Sequence, residues 1–141
     1  MSAIFFNILI WGTMATGSDC QISRTADDVL LKYGDKTFSF PEASTGMKIE
    51  KCNLQSDYLL VEVDMGSGGT SSNVREKDLL VFNVKDGKKP VVKENIFSET
   101  TTLENGNPVK DTIKRDYSFR KNKKGGSEIQ LTNPVKTFPL K

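Results

Sequence analysis

Tyr58-Leu59-Leu60-Val61-Glu62-Val63-Asp64 and Asp78-Leu79-Leu80-Val81-Phe82-Asn83-Val84-Lys85 are the stretches that decide the fold. Both are short, rich in Leu and Val, and flanked by polar residues, which marks strands and not helices. Apolar side chains occupy both alternating sets of positions, so both runs are predicted to be central strands with each face partly covered. Met65 to Asn73 (MGSGGTSSN) lies between them and reads as a small polar loop.

The flanking sequence repeats this β grammar. Val29 to Tyr33, Gly34-Asp35 and Lys36 to Phe40 read as a hairpin with Phe38 and Phe40 on one face, stopped by Pro41. Met47 to Leu54 is a further strand, with Met47, Ile49, Lys51 and Asn53 on one side and Lys48, Glu50, Cys52 and Leu54 on the other. Asp86-Gly87 signals a hairpin into Pro90-Val91-Val92-Lys93. Ser98 to Thr112 reads as a turn at Asn105-Gly106 with irregular flanks, and Ile113 to Arg120 as one alternating strand. Lys121 to Gly126 is a cationic turn, Ser127 to Thr132 the return strand, and Phe138 and Leu140 pin the tail. The expected fold is all-β: one antiparallel sandwich or small barrel of about eight strands without crossover helices. With 36% apolar and 27% charged residues, a thin two-layer structure is expected.

Residues 1–17 read as a cleavable signal peptide ahead of a single β-rich domain at 18–141. Ala3 to Ala15 is an apolar run of h-region length, shorter than the roughly 20 residues that span a bilayer. Ala15-Thr16-Gly17 supplies small residues for cleavage, although Met1-Ser2 lacks the usual basic charge. Asp19 directly before Cys20 argues against lipidation. Cys20 and Cys52 are expected to form a disulfide, which places the protein in the periplasm or outside the cell.

The chain contains no histidine, which removes Ser–His and Cys–His nucleophile systems and histidine-ligated zinc. Two cysteines cannot build a four-thiolate metal site, and no dinucleotide fingerprint, P-loop or EF-hand spacing occurs. No catalytic residue, metal or cofactor is therefore expected. Asp57, Glu62 and Asp64 could pair as catalytic carboxylates, but 18 acidic residues make chance pairs common.

Charge is the more informative signal. Residues 18–75 hold 6 basic and 9 acidic side chains, and residues 76–141 hold 14 and 9, so the halves carry −3 and +5. Such polarity steers association with a charged partner. Candidate partner-binding residues are Gly66, Ser67, Gly68, Gly69 and Thr70 in the polar loop, and Lys121, Lys123 and Lys124 in the cationic turn. In layout, though in no motif, the chain resembles exported inhibitors of cell-wall hydrolases and immunity proteins against secreted toxins. The expectation is a binding protein that blocks another protein bearing an acidic cleft or surface, with no nucleic acid and no stable membrane insertion. The alternatives are a structural or adhesive surface subunit, which needs an exposed edge strand, and a β-barrel holding a small apolar ligand.

Overall fold

Eleven strands and no helix occur among the residues described by the structure, a computed structural model covering 20–24, 29–40, 47–68, 72–85 and 87–140. The expected leader at 1–17, Pro41, Gly69, Thr70 and Asp86 lie outside the described residues. An N-terminal sheet holds β1 (Cys20–Arg24), β2 (Val29–Tyr33) and β3 (Lys36–Ser39) in that order. The central sheet runs β4 (Lys48–Gln55), β5 (Tyr58–Gly68), β6 (Asn73–Asn83), β7 (Val92–Glu104) and β8 (Asn107–Lys114). A C-terminal sheet holds β9 (Tyr117–Lys121), β10 (Ser127–Leu131) and β11 (Lys136–Leu140). All pairings are antiparallel.

Period-two alternation in β5 and β6 divides the molecule into three layers. Leu59, Val61, Val63, Leu80 and Phe82 face the N-terminal sheet, where they bury Leu31, Phe38 and Phe40. Tyr58, Leu60, Leu79 and Val81 face the C-terminal sheet and meet Ile129, Leu131 and Leu140. The Phe38 and Phe82 rings lie 4.9 Å apart in the first core, and Tyr58 and Phe119 lie 6.2 Å apart in the second. The two central strands are thus covered on both sides, as their composition requires. The sheets stay open and do not close into a barrel, and there are three layers instead of two.

Five local readings are corrected. Met65 to Gly68 belong to β5, because Ser67 and Gly68 pair with Arg75 and Val74 beyond a register shift after Asp64. Met65 to Gly68 and Asn73 are therefore strand residues and not part of a loop. In β4 a bulge at Glu50 places Ile49 opposite Val63 and Cys52 opposite Val61, so both face the first core and the strict alternation fails. The expected irregular stretch after Ser98 is a long regular hairpin. Asn105 (φ 52°) and Gly106 (φ 80°) form its two-residue loop, whose paired positive φ values match the twist of the flanking strands. By contrast, β6 ends at Asn83 and β7 begins only at Val92, so the connection there is longer than a two-residue turn, and Asn83 Oδ1 accepts the Lys85 N–H at its start. The regular hairpin, β1 and the β11 tail raise the strand number above the expected eight.

The stretch Ile113 to Arg120 is not one strand but changes sheet at Arg115. Its backbone N–H still bonds Ile96 O of β7 at 2.9 Å, while Asp116 N–H turns to Thr132 Oγ1 at 3.1 Å. The guanidinium holds the crossing, donating to Thr132 O, Pro134 O, Asn95 O and Glu94 Oε1 at 3.0–3.4 Å. Only a planar fork with five donors serves so many acceptors at once.

Candidate functional site

A line of irregular pairs crosses the central sheet where the cover of the C-terminal sheet ends. Ile49, Val63, Asp78 and Asn95 sit side by side along it, with register shifts in each adjoining pair of strands. Bulges bend a strand and re-aim its side chains. Here the bulge in β7 points both Ile96 and Phe97 into one cleft, and the Asn95 amide nitrogen lies 3.3 Å from Lys77 O and 3.1 Å from Phe97 O, serving carbonyls at the bulge.

The cleft has a volume of about 570 Å³. Its walls alternate in charge. Lys77 donates to Glu50 at 2.6 Å and lies 5.3 Å from the centre of the Phe97 ring. The Tyr117 hydroxyl donates to Glu62, and Lys51 sits 3.9 Å from the same carboxylate. Burial, reinforced by Glu62, pushes the Tyr117 phenol well above its ordinary value, so it is a neutral donor and not a base. Lys114 lines the cleft without an ion pair among the described residues. Glu50 with Lys77 and Glu62 with Lys51 pair across the walls, which suits the cleft to hydrogen bonding and charge contact.

The carboxylate candidates are each occupied separately. Asp57 is half exposed and lies 3.3 Å from Lys85. Asp64 is buried, accepts the Gly66 N–H at 2.9 Å and meets the Arg75 guanidinium at 2.8 Å. Burial acts to raise the Asp64 carboxyl, but the hydrogen bonds from Arg75 and Gly66 and the Arg75 charge outweigh it and hold the group below the usual range. A carboxyl held low adds stability above its unfolded value of about 4, and that stability is lost as pH falls through the folded value. Asp64→Asn is therefore expected to cost about 1–3 kcal/mol at neutral pH, a penalty that shrinks as pH falls below about 4. Urea denaturation of both proteins across this range measures it, and a pH-independent gap would contradict the assignment.

The sequence-derived binding residues fall in separate layers. Gly66, Ser67 and Gly68 finish β5 in the central sheet, with Gly69 and Thr70 outside the described residues. Lys121, Lys123 and Lys124 cluster at the far hairpin of the C-terminal sheet, beside a surface hollow of about 700 Å³ shared with Asn122 and Pro139. Asn122 shapes this turn: its side-chain oxygen accepts N–H from Lys124 and Gly126 at 2.9 and 3.0 Å, and its own N–H bonds Gly126 O at 2.8 Å. All three lysines are exposed, and none has an ion pair among the described residues. Arg120, next to them, is instead bound to Glu128 at 2.7 Å.

Sequence reading missed the cleft because its walls come from six separated strands. The only local clue was its charged residues, which any solvated strand also carries. Among the described residues, no helix is long and apolar enough to cross a membrane, and no group of three His, Cys, Asp or Glu could hold a metal ion. No family model matches the chain, and no curated protein or solved structure matches it.

Proposed function

We propose that this is an exported binding protein that blocks another protein, such as a secreted toxin or a cell-wall hydrolase, by seating the Lys121–Gly126 turn in a carboxylate-lined cleft. One observation carries the reading: the turn is already folded while its lysines have no ion pair among the described residues. Asn122 fixes the backbone before any partner arrives, which lowers the ordering cost of association. Exposed cations on such a hydrogen-bonded turn favour electrostatic steering toward an acidic surface. The Cys20–Cys52 disulfide fits an oxidising compartment such as the periplasm or the cell exterior. The apolar-ligand alternative rests on a barrel interior, and the sheets do not close into one.

The test is capture from a secreted or periplasmic extract with the purified protein at low and high salt, followed by affinity measurement on the retained partner. Lys123→Glu combined with Lys124→Glu is expected to weaken the complex at least about tenfold, mostly through slower association. Unchanged affinity would clear the turn of this role.

A further inference from the structure

The β7–β8 hairpin extends the central sheet beyond its two covering layers, and every residue of β8 is exposed. No described residue pairs along the outer edge of this strand. The phase of its hydrogen bonds follows from two fixed points: the tight loop closes on Glu104 and Asn107, and Arg115 N–H bonds Ile96 O. Asn107, Val109, Asp111 and Ile113 therefore direct their backbone groups to β7. Pro108, Lys110, Thr112 and Lys114 direct theirs outward. Consistent with this, Lys114 O reaches the Asn133 side-chain amide at 3.4 Å, and Pro108, which has no N–H, sits where no ladder donor is required. What remains open is a row of donors and acceptors from Pro108 to Thr112.

We propose that this edge takes an extended segment of a partner protein as an added strand, one whose residues alternate between acidic and apolar. The chemistry of the two faces sets that preference. Lys110 and Lys114 stand on the face that carries the cleft, and Val109 and Ile113 stand on the other, with Ile113 57% exposed. An added strand alternates its side chains in the same way, so its residues fall beside lysine on one face and beside Val or Ile on the other. A second copy of β8 is a poorer occupant. The antiparallel registers that overlap most of the strand centre on Lys110 or Asp111 and set like charges directly opposite each other. The lysines and Pro108 thus guard the edge against its own kind while leaving it open to a strand of opposite charge. This surface is independent of the cationic turn.

The probe is a blocked synthetic peptide of alternating Glu and Val, titrated into the isotope-labelled protein and followed by amide NMR. Saturable shifts and slowed exchange are expected at the Lys110 and Thr112 amides, with no response to a Lys/Val peptide. Thr112→Pro removes one outward N–H but no bond to β7, so it is expected to weaken peptide binding about tenfold or more without moving the denaturation midpoint. Lys110→Glu with Lys114→Glu changes exposed side chains, at the loss of the 4.0 Å Lys110–Glu99 ion pair, and is expected to reverse the preference toward the Lys/Val peptide. Lys123→Glu with Lys124→Glu is expected to leave peptide binding intact. Absence of shifts along β8 at millimolar peptide, indifference to peptide charge, or protection of the same amides by self-association alone would each overturn the proposal.

Discussion

Leu79→Ala and Leu80→Ala are each expected to cost about 2–5 kcal/mol, although the two residues are neighbours on one strand and point in opposite directions. In a two-layer sandwich one of them would face water, and its truncation would change stability by no more than about 0.5 kcal/mol. Here Leu79 packs toward Ile129 and Leu131, and Leu80 packs toward Leu31 and Phe38, both with almost no exposure. Each truncation leaves a cavity in a different core, and neither core can collapse freely because β6 is held in the middle of a five-stranded sheet. A small domain has only about 5–15 kcal/mol of stability, so the double variant is expected to be largely unfolded or close to it. Urea midpoints of the two single variants decide the matter. A near-neutral result at either position would remove one covering layer from the architecture.

The central strands were legible because burial on both faces leaves a mark that composition cannot hide: consecutive Leu and Val in Tyr58 to Val63 and Leu79 to Phe82. The Gly34-Asp35 hairpin was legible for a related reason, since Tyr33 and Lys36 pair directly across a turn with a strong local signature. The C-terminal layer was harder to see. Its strands bury only one face, so Ser127 to Leu131 and Lys136 to Leu140 show few apolar residues and resemble a return strand and a tail. The β7–β8 hairpin lost its signal in a different way. Asn105-Gly106 announced the turn, but its flanks are threonine-rich and exposed, so no apolar alternation marked them as strands. Bulges left no local trace at all. Glu50 shifts the register of β4 because of what β5 requires opposite it, and the Asn95 side chain is bonded to carbonyls on two strands. The cleft depends on these bulges and on the sheet change at Arg115, so its assembly is a tertiary event. The turn at Lys121 to Gly126 was legible as a turn because a hairpin loop needs no distant partner to form.

Loss of the Cys20–Cys52 disulfide is expected to lower stability by about 3–4 kcal/mol, and the loss should be concentrated in one layer. The bridge spans a sequence separation of 32, and the chain-entropy relation gives about that figure for a loop of such length. Its position matters as much as its length. Cys20 begins β1 and Cys52 lies in β4, with Cα atoms 6.2 Å apart, so the bond ties the N-terminal sheet to the edge of the central sheet. Both sulfurs are buried in the first core, among Leu31, Phe38 and Val61. Without the bridge, three short strands are held to the central sheet by that core alone, and short strands bearing little buried surface open first. Cys20→Ala with Cys52→Ala avoids placing a polar group in the core and is the cleaner comparison with the oxidised protein. Hydrogen exchange should quicken at Leu31 and Phe38 by more than at Ile129 and Leu131, whose layer the bond does not touch. Equal acceleration in both layers would mean that the molecule opens only as a whole. A midpoint unchanged by reduction would show that the disulfide constrains nothing the core does not already hold.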